Sequence, residues 1–253
     1  MDVTPKKRFG QHFLVDENIL GVIDRLSDLT PADVVLEVGP GLGVLTRYLA
    51  DRVRHVHSVE VDRSLEPHLT GLPRTSLHWL DALALDAHTL APAPTKLVAN
   101  LPYNIATPLV VESLDRMPMI DRWCVMVQRE VADRFFAEPS TKAYGAVSVL
   151  MQHATRRTGL YPVSREVFRP RPNVESALVA FERTLPSIDP DLKRLVEASF
   201  AHRRKTLANS VSLSGLTSRE AAATALEAIG HDPGVRAEVL RPDQFAALGA
   251  ALR

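Results

Sequence analysis

The residues with the clearest chemical content are Asn100, Leu101, Pro102 and Tyr103 in the stretch "NLPYN", which follows the apolar run "KLVA" and precedes the helix-like "IATPLVVESL". The side-chain oxygen of Asn100 and the carbonyl of Leu101 can both accept hydrogen bonds from one amine. The exocyclic amine of adenine is a poor nucleophile because its lone pair is delocalised into the ring. Attack on a methyl sulfonium therefore needs in-line holding and acceptors that favour a more pyramidal, electron-rich nitrogen. Pro102 restricts the residue before it and stiffens the loop, while Tyr103 offers a face on which a flipped-out base can stack. An amide is too weak a base to remove the proton, so Asn100 would position and polarise, with proton loss following methyl transfer. In isolation the tetrapeptide is better read as a proline turn with a capping asparagine, and its surroundings must decide.

Those surroundings suggest a nucleoside pocket. In "LEVGPGLGVLT", Gly39, Gly41 and Gly43 follow a buried strand and precede a helix, so the chain can turn tightly and a ligand can approach without meeting a Cβ. The spacing is G-x-G-x-G, not the dinucleotide G-x-G-x-x-G, and Pro40 sits inside it. The next strand ends in "VEVD", which puts Glu60 seventeen positions after Gly43, where a carboxylate can accept both ribose hydroxyls. The third ends in "LDAL", offering Asp81 to an exocyclic adenine amine. A dehydrogenase would have to hold a pyrophosphate on the helix N-terminus. A methyltransferase would hold the amino-acid tail of S-adenosylmethionine, and "NLPY" after the fourth strand favours it.

These residues need a scaffold that brings strand ends together. Short apolar runs, "VVLEV", "HVHSVEV", "SLHWL", "KLVA" and "WCVMV", alternate with amphipathic stretches, which predicts a mainly parallel sheet covered on both faces. Ahead of them, "DENILGVIDRL" predicts a helix behind Asp16 as N-cap. After residue 143 the pattern changes to a helix in "AYGAVSVLMQHA", a strand in "TRRTGLY" and a strand in "SALVAFE", a late hairpin that would put an antiparallel strand on the sheet edge. A proline-marked joint near 184–191 separates this from "DLKRLVEASFAHRRKTLANSV", "SREAAATALEAIG" and "PDQFAALGAALR", which read helical. The expected organisation is an α/β domain over 1–186 and a small all-helical domain over 187–253.

The 253 residues are 45% hydrophobic and 24% charged, the composition of a globular protein, and neither a signal peptide nor a run of ~20 apolar residues is visible. A cytoplasmic protein is expected. Cys124 is the single cysteine and the nine histidines are scattered, which disfavours a disulfide, a metal site and a thiol nucleophile. Thirty basic residues balance thirty acidic ones. The basic groups nevertheless cluster at Lys6-Lys7-Arg8, at Arg156-Arg157, at Arg165, Arg169 and Arg171, and at "HRRK", so a nucleic-acid partner remains open.

The ordered set "KKRFGQHFLVD", "EVGPGLGVLT", "VEVD", "DAL", "NLPYNIATPL", "VQREVADRF", "KAYGAVSV", "VFRPRPNVESALV" and "HRRKTLANSV" spans nearly the whole chain. It closely resembles the small-subunit ribosomal RNA adenine N6,N6-dimethyltransferases, the family called KsgA or RsmA in bacteria. The resemblance implies a Rossmann-like class I methyltransferase domain, with a mainly parallel seven-stranded sheet and a helical C-terminal domain. It implies transfer of four methyl groups from S-adenosylmethionine to two adjacent adenines near the 3′ end of small-subunit rRNA, within an immature 30S-type subunit. A monomer is the default expectation, because no long apolar surface stripe demands a partner. The family's cofactor contacts map onto His12 and Leu14 in "QHFL", Gly39, Gly41, Glu60, Asp81, Ala82 and Asn100; many relatives carry asparagine where this chain has His12. Phe168 looks like the residue that closes over the target base opposite Tyr103. The candidate RNA contacts are Lys6, Lys7, Arg8, Tyr144, Arg169, Arg171, Arg203, Arg204 and Lys205, local clusters that would meet phosphates on a chain of neutral net charge.

Two other readings stay open. The related large-subunit rRNA dimethyltransferases of the macrolide-resistance type share the pocket and an "NLPY"-type loop, but "AYG", "FRPRPNVESALV" and "HRRKTLANSV" favour the small-subunit family. A ribosome-assembly factor that binds the immature subunit and needs methylation only for timely release is the other. Mitochondrial transcription-factor relatives are disfavoured by the lack of a transit peptide.

Overall fold

The computed structural model describes residues 5, 6 and 10–253. The chain divides into two compact units, Met1–Ala132 with Arg157–Arg183, and Asp133–Arg156 with Thr184–Arg253. Lys7 and Arg8 lie outside the described residues.

The first unit is built on five parallel strands, β2 (Val34–Val38), β3 (His55–Glu60), β4 (Thr75–Trp79), β5 (Lys96–Asn100) and β6 (Arg122–Gln128), after a short β1 (Phe13–Leu14). Their near-continuous apolar character follows from burial on both faces: all five residues of β2 are buried, as are Trp123 to Val127 in β6. On one face, α1 (Asn18–Ser27) and α2 (Val44–Ala50) set Ile19, Leu20, Ile23, Leu45 and Leu49 in one apolar cluster with Val35, Val98 and Cys124. Two further helices of the unit are α3 (Glu66–Leu69) and α4 (Ala106–Arg116); Trp123 stacks on Phe181 with ring centroids 5.2 Å apart, and its indole N–H donates to Ser113 Oγ of α4 at 2.9 Å. Cys124 is the small buried hydrophobe its setting suggests: burial pushes its thiol up to about 12, so no thiolate forms near neutral pH.

Sheet order is β4-β3-β2-β5-β6-β9-β7, with β7 spanning Thr155–Val163 and β9 Ser176–Arg183. From β2 the chain moves outward through β3 and β4, then returns to the other side of β2 for β5 and β6. The C-terminal ends of all these parallel strands share one edge, and the reversal at β2/β5 opens a crevice there. The late antiparallel strand is not at the edge as expected. β9 pairs antiparallel with β6 in the interior of the sheet, and β7 takes the edge. Burial explains the order: the first six residues of β9 are buried, whereas Arg156 to Thr158 and Leu160 to Tyr161 of β7 are largely exposed.

Two local features also differ from expectation. The α1 helix starts behind Glu17, and Asp16 sits one residue earlier, its Oδ1 accepting from the Asn18 backbone N–H at 2.8 Å. Within the proline-rich stretch after β7, Phe168–Arg169 forms a short strand, β8, that pairs antiparallel with β1. That ladder fastens the N-terminal arm to the first unit.

The second unit is helical. It contains α6 (Ala146–Ala154), α7 (Pro190–Phe200), α8 (Leu207–Leu213), α9 (Arg219–Ala228) and α10 (Pro242–Ala251), while α5 (Arg129–Phe135) runs into it from the first unit. The unit therefore takes in Asp133–Arg156, a segment ahead of the boundary that the sequence suggests, because α6 packs on α7 and α10. The stretch "DLKRLVEASFAHRRKTLANSV" is two helices instead of one. Thr206 starts α8 by accepting the Asn209 N–H, and Ser210 Oγ accepts the His202 N–H at 3.2 Å while donating to Ala198 O at 2.7 Å, which fixes the reversal. His202, Arg203, Arg204 and Lys205 thus lie on an exposed turn. Among the described residues no helix is long and apolar enough to cross a membrane.

Candidate active site

A cavity of about 310 Å³ opens at the shared strand edge of the first unit. His12 and Leu14 of the arm, Gly39 and Gly41 after β2, Glu60 at the end of β3, Asp81 and Ala82 after β4, Asn100 at the end of β5 and Leu101 to Tyr103 after it all line it. These residues lie on five separate segments, and the parallel strands bring them together.

The glycine turn is the tightest point. Gly39 and Gly41 have φ of +75° and +58°, and a Cβ would meet Pro102 Cδ at 3.1 Å from Gly39 and the Phe13 ring at 2.9 Å from Gly41. The turn is therefore clamped between the "NLPY" proline and the arm, and only glycine leaves both in place. This contact makes Pro102 more than a loop stiffener, since it seats the "NLPY" loop on the glycine turn.

Glu60 is 8% exposed. Burial raises its pKa, and backbone N–H groups of Asp62, Gly41 and Val61 oppose the shift. Its Oε1 accepts from Val61 N–H at 2.9 Å and Asp62 N–H at 2.8 Å. Asp81 Oδ1 accepts from Leu83 N–H at 3.0 Å, capping the 3-10 turn over Ala82–Ala84, and the residue lines the cavity.

Asn100 Nδ2 donates to the backbone carbonyl of His12 at 3.2 Å. Tyr103 is anchored through its hydroxyl, 2.6 Å from Ser176 Oγ. The His12 ring stacks on Tyr103, with centroids 5.5 Å apart and planes inclined by 29°. Its Nδ1 lies 2.7 Å from Pro170 O and must carry the proton there, because a carbonyl only accepts. His12 thus enters the site through its carbonyl and its ring face.

Phe168 is fully buried in the apolar cluster with Leu14, Ile19 and Leu178, and it is not among the residues that line the cavity. The β1–β8 ladder explains this: Phe168 pairs with Leu14, and both side chains belong to the core. Tyr144 is likewise a core residue, 1% exposed, its hydroxyl donating to Leu240 O at 2.7 Å, and it presents no face to RNA. Arg169 and Arg171 are exposed in the first unit, the latter paired with Glu166 at 2.6 Å. Arg203, Arg204 and Lys205 are exposed in the second. Lys6 is already engaged, its ammonium 2.6 Å from Asp62 Oδ1.

Several residues at or beside the site lie inside the quoted motifs without being singled out by them. Glu37 lines the cavity at 1% exposure, with Ser58 Oγ donating to its Oε2 at 2.7 Å. Burial pushes its pKa to about 7. The available signal was an acid in the middle of the apolar strand "VVLEV". Gln11, Asp62 and Ser176 lie inside quoted motifs, but spacing gives no hint of their partners. Among the described residues the lining contains three carboxyl groups, at Glu37, Glu60 and Asp81, and no lysine or arginine. Such a site suits a cationic nucleoside and repels a pyrophosphate.

A family model described as ribosomal RNA adenine dimethylase matches residues 3–249. The chain is 46% identical over 250 residues to the "Ribosomal RNA small subunit methyltransferase A" of Rubrobacter xylanophilus, covering 96% of this chain and 94% of the relative. It is 41% identical over 257 residues to the protein of the same name from Thiobacillus denitrificans, covering 98% of each. Among solved structures, a dimethyladenosine transferase from Plasmodium falciparum superposes with a TM-score of 0.79 at 22% identity, covering 94% of this chain and 96% of that one. The 23S rRNA methyltransferase ErmE superposes with a TM-score of 0.68 at 29% identity, covering 95% and 99%. The expected class I methyltransferase fold is therefore the one observed, with its mainly parallel seven-stranded sheet and helical C-terminal region. Sheet order, strand-edge cavity and a model match over almost the whole length lead to one assignment: this chain belongs to the ribosomal RNA adenine dimethylase family.

Proposed function

We propose that the chain transfers methyl groups from S-adenosylmethionine to the N6 amines of two adjacent adenines in the 3′-terminal hairpin of small-subunit (16S) rRNA, acting on an immature 30S-type subunit. The same reading has it work as a monomer in the cytoplasm. The observation that carries it is the orientation of Asn100. A carbonyl can only accept, so the amide nitrogen must face His12 O, and Oδ1 is turned to receive a donor from the cavity. An adenine amine offers such a donor.

The residues present fit the cofactor. Glu60 would hold the ribose hydroxyls, Asp81 the adenine amine, and the glycine turn would admit the amino-acid tail, while Glu37 adds negative charge where the ligand is cationic. When bound, S-adenosylmethionine supplies an electrophilic methyl group on sulfur. Asn100 Oδ1 and the Leu101 carbonyl would accept the two N–H bonds of the target amine and keep its lone pair aimed at the methyl. Tyr103, fixed by Ser176, would stack on the flipped base, with the His12 ring beside it. No residue need act as a strong base, because the amine becomes acidic once alkylated.

The likeness to ErmE keeps large-subunit RNA as the second reading. Methylation of immature small subunits and of 23S rRNA by the purified protein separates the two. Dimethyladenosine in the small-subunit hairpin alone is expected, and modification of 23S rRNA alone would overturn the proposal.

A further inference from the structure

We propose that Gly10–Leu14 is a strap across the cofactor cavity and that Asp62 is its latch, held through Lys6 and Gln11, so that Asp62 sets how long the cofactor stays bound. The proposal rests on the methyltransferase reading above and adds a positioning residue to it.

Asp62 follows β3, is 5% exposed, and is not among the residues that line the cavity. Both of its carboxylate oxygens are used. Oδ2 accepts from Gln11 Nε2 at 2.9 Å, and Oδ1 accepts from Lys6 Nζ at 2.6 Å, Ser64 Oγ at 2.7 Å and Ser64 N–H at 3.1 Å. Gln11 also turns back on the arm, its Oε1 accepting the Lys6 N–H at 2.8 Å. Burial alone would raise the Asp62 pKa, but the bonds from Lys6, Ser64 and Gln11 outweigh it and hold the carboxyl well below the usual range. The latch therefore stays ionised at any working pH.

The strap reaches three walls of the cavity. Gln11 and His12 line it, Phe13 lies against Gly41, and Gly10 approaches Asn104 of the acceptor loop, where a Cβ would come within 3.6 Å of the side-chain oxygen. Its two ends are fastened differently. Phe13 and Leu14 are buried and paired with β8, an attachment that costs apolar burial to undo. Among the described residues the other end is held by polar groups, and Lys6 is 36% exposed, so water can replace its bond. A hinged strap with a polar latch opens at the latch. Asp62 also donates its own N–H to Glu60 Oε1, so the group that holds the strap and the carboxylate proposed for the ribose share one backbone turn.

The test is the dissociation rate of labelled S-adenosylmethionine from the full chain, chased with excess S-adenosylhomocysteine. Lys6→Met and Asp62→Asn are each expected to speed dissociation roughly three- to tenfold, the range for losing a partly exposed charge-assisted bond. Lys6→Arg should restore the wild-type rate, and Lys6→Met should add nothing further in an Asp62→Asn background. Lys6 lies at the surface, so Lys6→Met remains informative if Asp62→Asn disturbs the end of β3. An unchanged rate in Lys6→Met, or equal and additive effects in the double variant, would overturn the latch. Failure of the wild-type chain to bind S-adenosylmethionine at all would sink the methyltransferase reading instead, before any variant is compared.

Discussion

Asn100 and His12 are joined by a hydrogen bond from the amide Nδ2 of one to the backbone carbonyl of the other, 3.2 Å across the mouth of the cavity. The bond does two things at once. It orients the amide so that Oδ1 is the free acceptor, and it ties the "NLPY" loop to the arm that lines the cavity.

Asn100→Ala removes the acceptor without touching the ribose end of the cavity. Turnover should fall about 10²–10³-fold, the usual cost of deleting one preorganised group in the transition state. Cofactor binding by calorimetry should weaken far less than turnover, by no more than the loss of the tie to His12. Asn100→Asp should fare no better, since a carboxylate oxygen would then face the His12 carbonyl. Near-normal methylation by either variant would remove Asn100 from the reaction.

Glu37 makes a pH prediction. Its folded pKa of about 7 lies above the ordinary 4.5, so between those values the folded chain holds a proton that the unfolded chain does not. Its contribution to stability is therefore full below pH 4.5 and falls as pH rises to 7. Glu37→Gln keeps an acceptor for Ser58 and abolishes the loss, so the variant should gain up to about 3 kcal/mol over wild type at pH 8 relative to pH 4.5. Urea denaturation at both pH values checks this, and a pH-independent difference would contradict it. S-adenosylmethionine, a cation, should bind wild type more weakly at pH 6 than at pH 8, a dependence that Glu37→Gln should reduce.

Gly41→Ala should cost about 1–2 kcal/mol for the left-handed backbone. Displacement of the Phe13 ring adds to that, because the new Cβ would sit 2.9 Å from it. Cofactor affinity should fall along with the thermal midpoint, since Phe13 belongs to the arm. A variant with lowered stability but unchanged affinity would mean that the arm does not respond to the glycine turn.

Replacing Arg203, Arg204 and Lys205 together with Ala should leave stability nearly unchanged, because all three lie exposed on a turn between α7 and α8. If each meets an RNA phosphate, the slope of log affinity against log salt should flatten by about 2. An unaltered slope would assign the turn to solvent.

Spacing alone made the strands, the glycine turn and the acidic strand ends legible. "VVLEV", "HVHSVEV" and "KLVA" are long enough to be buried strands, and parallel order then places Gly39, Glu60, Asp81 and Asn100 on one edge. The burial of Phe168 was not legible for a related reason. Its motif marks a loop near the site, but a two-residue ladder with Phe13–Leu14 turns the ring into the core, and nothing local in "VFRPRP" encodes a partner more than 150 residues earlier. The "HRRK" turn was hidden by helix-like periodicity on either side, because its break depends on Ser210 bonding back across the reversal.

The sequence by itself determined which residue types stand at the ends of the strands, and so the class of ligand and reaction, because those depend on local pattern and on chemistry carried by single side chains. Only the tertiary structure decided which atom of Asn100 faces the cavity, that Glu37 titrates near neutrality, that Tyr103 is anchored by Ser176, and that Asp62 fastens the arm. Each of these depends on a hydrogen-bond partner or a burial supplied by a distant segment. Orientation, pKa and closure are properties of that surrounding and are not written in any one stretch of chain.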